Sequence, residues 1–515
     1  MNSSRPHVSI VVPVYRTDLG HLSEMIESAV AQSDGDWQLV LVDDASGLSD
    51  LESALDRAAA DDPRIVVVHC EQNGGIGRAT QIGIERATGE LVALLDHDDV
   101  LDPEAVAELN QAARQNPNAD VIYTDEYWWI DGQRHYFRKP DWSPERLRGQ
   151  MYLGHIVAYR RDLLERIGGM RTGFDGSQDY DLALRATENA REVHHIRKAL
   201  YSWRIHAGSV SHAVDNQPVF DAAIRALTEH LSRIGVAASA EQVRHDGAYR
   251  IRRVISGEPR VSVVIPTRGS RATIRGTDRC LVVETVRDII EKSHYRNVEV
   301  VVVWDSGMDP EVLEELASIA GSKLVLVEFA DEFNFSRKIN AGAIAATGDY
   351  LLMLNDDVEV IDRDWIDVLL GLAQQNGVGM AGALMYFEDG RIQHAGHIYT
   401  GGAAGHAGFG LPPDHPGAAG MFQIEREVSG ITAACAMVPA KVFFDLGGFS
   451  TTLPVNYNDV DFSLKVRQAG YRCVVSPFAR MYHYESSTRE PGVTPYEFQE
   501  LSSRWERHMQ VDPFD

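Results

Sequence analysis

"ATGELVALLDHDDV" occupies Ala87–Val100, and "ATGDYLLMLNDDVEV" occupies Ala346–Val360. Each opens on a small-residue turn, runs through a short apolar stretch and ends among carboxylates. A short apolar run of this kind is the pattern of a strand buried on both faces, as in a parallel sheet. Carboxylates crowded where such a strand surfaces repel one another, and desolvating them is costly unless something positive sits among them. One such cluster is an oddity. Its return in register points to duplication and to a cation.

The rest of the chain repeats on the same period, about 260 residues, too long for a solenoid and right for a duplicated domain. "VSIVVPVYR" from Val8 returns as "VSVVIPTR" from Val261. "WQLVLVDDAS" (Trp37–Ser46) returns as "VEVVVVWDSG" (Val298–Gly307), and "GSQDYDLALRA" (Gly176–Ala186) parallels "NYNDVDFSLKV" (Asn456–Val466). β-Branched runs alternate with helical stretches such as Leu22–Gln32, which predicts an α/β sandwich with a mostly parallel sheet in each copy. Ligands of such sheets bind beyond the carboxyl ends of the strands. Asp43–Asp44, the 96–99 cluster, Asp305 and Asp356–Asp357 would all emerge there.

The expected organisation is a first domain over 1–212, a helical linker over 213–258, a second domain over 259–490 and a tail over 491–515. In the linker Phe220, Ile224, Leu227, Leu231 and Ile234 mark one apolar helix face that ends near Gly235. "AYRIRRVI" reads as a short strand after it.

At 515 residues, 44% hydrophobic and 24% charged, the chain can build more than one core. Its formal net charge of -26 argues against nucleic acid as the main partner, while leaving room for a local basic patch against a membrane. The four cysteines form no CxxC pair, so neither a zinc site nor a disulfide scaffold is read and a reducing compartment is expected. The apolar run before Pro13 is too short for a signal peptide or a membrane span. The expected place is the cytoplasm, at most peripheral at the inner face of the plasma membrane.

Within the clusters, an acid recurs two residues after a polar residue: Asp96/Asp98 and Asn355/Asp357. On an extended or turning backbone such side chains can face one divalent cation, which keeps water and phosphate oxygens as its other ligands. The alternative is turn and cap chemistry; Asp102, before Pro103, reads as a helix N-cap. Asp44 and Asp305 end apolar strands, where a carboxylate can accept from a base N–H or a ribose hydroxyl, or close an Asx-turn. Asp179 and Asp459 sit in matching contexts and read as a general base, an N-cap or both. His206 and His483 each follow the proposed base by about two dozen residues, and neutral imidazole can complete the shell of a Mn²⁺-like ion. His97 is expected to point away from the cluster, because its counterpart is Asp356. His394, His397, His406 and His415 show no HExxH or CxxC pattern, which reads against zinc.

Hydride transfer is unlikely on motif grounds. No GxGxxG follows either first strand, and "NGGIGRATQIG" (Asn73–Gly83) falls too late. A nucleotidyltransferase would need a basic glycine-rich loop near its first strand; "PVYRTD" and "PTRGSR" offer little beyond one arginine. A non-catalytic polysaccharide-binding protein would have no need of paired acids in register.

Taken together, "PVYR", "VDDAS", "LLDHDD", "KPDWSPERL", "YLGHI", "GSQDYDLALR" and "YSWRIHAGSVS" in the first copy resemble glycosyltransferase family 2 in its bacterial tandem form. So do "VSVVIPTR", "FNFSRKINAGAIAATGDYLLMLNDDVEVI", "GRIQHAG", "YNDVDFSLKVRQAGYR" and "YHYESSTR" in the second. That group is associated with O-antigen, capsule and other surface polysaccharides, including rhamnosyltransferases. The resemblance implies two tandem GT-A domains and a DxD element at Asp96/Asp98 and Asn355/Asp357, with Asp98 and Asp357 the direct ligands of Mn²⁺ or Mg²⁺. It implies His206 and His483 as the late metal histidines and Asp179 and Asp459 as catalytic bases. Asp44 and Asp305 would contact the nucleotide, bordered by Pro13 and Tyr15 in one copy and Pro266 and Arg268 in the other. The partners implied are a nucleoside-diphosphate sugar, a saccharide acceptor carried free or on a lipid, and polysaccharide export machinery. The mechanism implied is direct inverting displacement, at two active sites or at one beside a degenerate acceptor-binding copy. Two departures stand out: Trp304 replaces the acid at Asp43, and Asn355 replaces Asp96. "SQD" and "YND" also lack the Glu often found just before the base.

Overall fold

The structure, a computed structural model, describes residues 7–205, 217–244, 247–484 and 492–515. The chain divides into two compact units, Met1–Trp142 with Gln150–Ile251 and Ser143–Gly149 with Arg252–Asp515.

In the first unit the strands Ile65–His69, Trp37–Asp43, Val8–Val14 and Leu91–Leu94 lie side by side and parallel. Their residues are β-branched or leucine and largely inaccessible to solvent, as a strand covered by helices on both faces requires. Helices Leu19–Val30, Ser49–Asp61 and Ile76–Arg86 make the crossovers. Beyond Leu91–Leu94 the sheet changes character. Val157–Arg160 adds antiparallel, then Ala119–Ile130, Glu192–Ile205 and the short Val100–Leu101 complete it. Parallel pairing is therefore unbroken only through the N-terminal half; beyond it Ala119–Ile130 and Glu192–Ile205 pair parallel and the other joins are antiparallel. The antiparallel strand Val157–Arg160 is four residues long and arrives without a hairpin, so no turn signal marks it.

The second unit repeats this plan with Leu324–Phe329, Val298–Asp305, Val261–Thr267 and Tyr350–Leu354 parallel, followed by Cys435–Pro439, Val378–Tyr386, Arg472–His483 and Val358–Val360. The register is conserved between copies. Val8 pairs with Trp37 and Leu91, as Val261 pairs with Val298 and Tyr350.

A buried polar knot explains the recurring "ATG". Ser9 Oγ donates to Gln38 Oε1 at 2.7 Å, and the N–H groups of Thr88 and Gly89 close on the pair. In the second unit Ser262, Glu299, Thr347 and Gly348 make the same knot. A Cβ on Gly89 would lie 2.6 Å from Ser9 N and one on Gly348 would lie 2.7 Å from Arg260 O, so only glycine admits the strand at this approach.

The helix foreseen after residue 213 runs from Gln217 to Arg233, and Gly235 closes it at φ 72°. It belongs to the first unit, packed on the helix Gln178–Asn189, with His230 Nδ1 2.7 Å from Glu188 Oε1. Conversely, the helix Pro144–Gly149, numbered within the first copy, belongs to the second unit. There Glu145 meets Arg253 at 2.6 Å, Arg148 at 2.6 Å and Arg472 at 3.2 Å. Burial alone would push Glu145 up; the guanidinium groups of Arg148, Arg253 and Arg472 hold it well below the usual carboxylate range.

Candidate functional site

In both units the site forms where the parallel strands end, because the first, second and fourth of them stop within about three residues of one another in register and release loops on the same edge. In the first unit Asp43 and Asp44 close the second strand. Asp43 is buried, accepting from Ser46 N and facing His69 Nδ1 at 3.2 Å. Asp44 is 3% exposed and accepts from Gly74 N and Gly75 N, both at 2.8 Å. Its carboxylate thus pins the glycine loop that opens the helix Ile76–Arg86. Tyr15 stands exposed beside it in sequence, with Arg16 over its ring, and the Pro13 carbonyl lies 3.2 Å from His97 Nδ1. His97 does turn away from the acids, back toward the first strand.

Asp96 keeps its side chain partly open, and its Oδ2 lies 3.8 Å from His155 Nε2. The main-chain oxygen of Asp98 accepts from Arg204 Nε. Asp99, not singled out from sequence, is the structural acid of the group. It is buried and accepts from Tyr201 Oη at 2.5 Å and Arg204 N at 2.7 Å, while burial and the charge of Asp96 raise it. Asp179 stands in the first turn of Gln178–Asn189, whose N-cap is Ser177. Burial raises its pKa, His155 opposes the shift and Asp96 reinforces it, so Asp179, His155 and Asp96 share one field. His206 lies outside the described residues.

The second unit encloses a cavity of about 700 Å³, lined among others by Pro266, Arg268, Lys338, Asn355, Asp356, Asp357, Asp459 and His483. Asp357 Oδ1 lies 3.2 Å from His483 Nε2, and Asn355 Nδ2 lies 3.0 Å from the same nitrogen. His483 Nδ1 is 2.7 Å from Gln393 Oε1. That contact makes Nδ1 the donor and leaves the Nε2 lone pair facing the acids, the tautomer a metal-ligating histidine needs. Asn355 Oδ1 and Asp357 Oδ1 are buried without a hydrogen-bond donor among the described residues. Two orphaned oxygens and an imidazole lone pair in one pocket fit a divalent cation of the Mn²⁺ or Mg²⁺ class.

Asp356 turns toward the first strand, accepting from Thr267 Oγ1 at 2.5 Å; burial and neighbouring Asp357 raise it to about 7. Asp305 is partnered by Lys338, whose Nζ lies 2.7 Å from its Oδ1 and 2.6 Å from the Thr267 carbonyl. The sequence reading missed Lys338. Its signal was a charge on the buried face of the helix Phe335–Ala345, in line with Ser336, Ile339 and Gly342.

Asp459 occupies the first turn of Asn458–Gln468, whose N-cap is Tyr457 at φ 61°. Its Oδ1 accepts from Val460 N and its Oδ2 from Ala433 N, and neither Asp459 nor Asp179 is the N-cap, because each helix already begins at the residue before the Asp. The helix expected to start at Asp102 instead begins later, at Ala105. Asp102 Oδ1 accepts from Glu104 N and so closes the turn ahead of the helix instead of capping it.

His394, His397 and His406 line the same cavity and come together, against the sequence reading of scattered histidines. His397 and His406 are direct cross-strand partners in the hairpin His397–Thr400/Ala403–His406. Burial drives His394 well down and His397 to about 4, so both are neutral.

The family model described as Glycosyl transferase family 2 matches residues 9–168 and again 262–447. An uncharacterized protein, y4gI, of Sinorhizobium fredii is 38% identical over 99% of this chain and 57% of its own length. The O-antigen biosynthesis protein RfbC of Myxococcus xanthus is 35% identical over 96% of this chain and 38% of its own length. The chain therefore spans about half or less of the curated relatives it matches. Among solved structures, S. aureus TarS 1-349 in complex with UDP-GlcNAc aligns with 44% of this chain and 66% of that one, at 20% identity and a TM-score of 0.37. Among the described residues no helix is long and apolar enough to cross a membrane. With the family's model matched twice, over residues 9–168 and 262–447 and so across both acidic clusters, the chain belongs to glycosyl transferase family 2.

Proposed function

We propose that the chain transfers sugar from nucleoside-diphosphate sugars to a growing cell-surface polysaccharide of the O-antigen or capsule type, by direct inverting displacement. The observation that carries the reading is the second unit's cavity, which gathers Asn355, Asp357 and His483 and is lined by Asp459 as well. Family membership and the name of the Myxococcus relative support the chemistry and the product class.

In this reading Asp357, His483 and Asn355 would hold a Mn²⁺ or Mg²⁺ ion, which when bound neutralises the leaving diphosphate. Asp305, positioned by its contact with Lys338, receives the base or ribose; Pro266 and Arg268 border the nucleotide. Asp459 takes the proton from the acceptor hydroxyl. The N–H groups of Ala433 and Val460 steady its carboxylate for that task. Direct displacement needs no second carboxylate as nucleophile. In the first unit Asp96 and Asp98 stand for the metal ligands and Asp179 for the base. Burial raises the Asp179 pKa, which makes it a stronger proton acceptor than an exposed carboxylate.

One observation favours a second reading, in which the first unit holds acceptor and the second transfers. Asp44 is buried on two N–H groups, whereas the Asp305 side chain is 31% exposed. Purified chain screened against nucleotide sugars with Mn²⁺ or Mg²⁺, reading nucleoside diphosphate release, tests the proposal. Asp459→Asn is expected to abolish transfer by the second site with the fold intact, and Asp179→Asn to abolish a separate activity. Unchanged product from Asp179→Asn selects the one-site reading, and unchanged turnover from Asp459→Asn with the first site disabled removes the base assignment.

A further inference from the structure

The cavity that holds the Asn355–Asp357–His483 group is also lined by three imidazoles that this mechanism does not use. Ligand atoms of His394, His397 and His406 all lie within 4.8 Å of one another. His394 and His397 are buried and neutral in the ordinary pH range, and His406 is exposed. His397 is the most telling of the three. Its Nδ1 is buried without a hydrogen-bond partner among the described residues, while its Nε2 faces Asp459 Oδ2 at 3.9 Å. An ion on the orphaned Nδ1 would leave the Nε2 proton directed toward Asp459, and closing the 3.9 Å separation to hydrogen-bond length would complete a carboxylate–histidine–metal arrangement.

We propose that His394, His397 and His406 form a second cation site, for a borderline transition ion of the Zn²⁺ class, separate from the oxygen-rich Asn355–Asp357 site. Ligand type makes the distinction. Imidazole nitrogens suit Zn²⁺, Co²⁺ or Ni²⁺, whereas carboxylate and amide oxygens suit Mg²⁺ and Mn²⁺. Ligand nitrogens around a tetrahedral ion stand roughly 3.3 Å apart at ordinary Zn–N lengths. The pair His394 Nδ1 and His406 Nδ1, now at 2.7 Å, must open slightly, and His397 must close in.

The second observation concerns the loop beside the site. His394 Nε2 accepts from Thr432 N at 3.2 Å, so without an ion the His394 proton sits on Nδ1 and is donated to His406. An ion on Nδ1 moves that proton to Nε2, where it opposes the Thr432 N–H. Loading therefore displaces the Thr432–Ala433 turn, and Ala433 N is the donor that holds Asp459 Oδ2. The site would thus set the base's position through both His397 and this turn.

Titration of the full chain with Co²⁺, read by its visible d–d absorption and by metal analysis after desalting, tests the site without any sugar substrate. One equivalent with tetrahedral-type bands is expected in the parent and in Asp357→Ala, displaced by Zn²⁺. His406→Ala, a change at an exposed position, is expected to abolish the bands, and His397→Gln to do the same. Bands absent from the parent, or undiminished in His406→Ala, overturn the proposal. Loss of the bands in Asp357→Ala alone assigns the ion to the oxygen-rich site and overturns it equally.

Discussion

Replacing Lys338 by methionine tests whether the second unit's nucleotide edge is organised by a buried cation. The Lys338 side chain is 1% exposed, and its Nζ serves two acceptors, Asp305 Oδ1 at 2.7 Å and the Thr267 carbonyl at 2.6 Å. Methionine fills similar volume and carries no charge to desolvate, which works in its favour. Against it, the Thr267 carbonyl loses its side-chain donor in the interior, at about 1–3 kcal/mol. The Asp305 carboxylate is nearly a third exposed and rehydrates, so its share is held to the surface range of about 0–1 kcal/mol. The net expectation is a loss of about 1–3 kcal/mol, or roughly 2–10 °C in a unit of this size. Differential scanning calorimetry of the full chain reads it, with the two units treated as separate transitions. Calorimetric titration with Mn²⁺ and the nucleoside diphosphate released in the donor screen should show weakened binding in the same variant, because Asp305 is no longer held. A transition at or above the parent's, with undiminished nucleotide affinity, would refute the assignment of Lys338 as organiser of that edge.

Glu145→Gln should destabilise the second unit by about 1–3 kcal/mol, since Arg253 and Arg472 each lose one carboxylate partner while keeping Glu425 and Glu427. The folded-state pKa of Glu145 lies below its unfolded value of 4.5, so its stabilisation is present above that pH and withdrawn as pH falls below it. Calorimetry from pH 7 to pH 3 should show the parent losing its advantage over Glu145→Gln, and a constant gap would refute the linkage. Gly348→Ala should cost about 1–3 kcal/mol by overpacking against Ser262 and Arg260, read in denaturant melts; a neutral effect would mean the turn can move aside. Gln393→Leu removes the acceptor that fixes the His483 tautomer and should weaken Mn²⁺ binding about 10–100-fold in an EPR titration. Unchanged affinity there would take His483 out of the metal shell.

Much of this architecture could be read from residue order because it is local and periodic. Val8–Val14 and Val261–Thr267 are buried on both faces, so they spell themselves as continuous apolar runs. The "ATG" turn recurs because a Cβ cannot fit against Ser9 or Ser262. The acids at Asp96–Asp99 and Asn355–Asp357 follow directly from where the fourth parallel strand stops, and pattern alone placed them at one edge. The family resemblance carried the fold, two tandem GT-A domains, from the same motifs.

What residue order left open are relations between distant segments. It read Asp44 and Asp305 as equivalents, yet one is locked on the N–H groups of Gly74 and Gly75 and the other is paired with Lys338. It assigned Pro144–Gly149 to the first copy, whereas Arg253, Arg472 and Glu427 bind that helix into the second unit. It set three histidines aside for lack of a motif, and a hairpin register together with a neighbouring strand brought them face to face. Strand and turn propensities act over a few residues and are written in the sequence as such. Which charge meets which partner depends on chain closure across tens to hundreds of residues, and only the packed fold decides it.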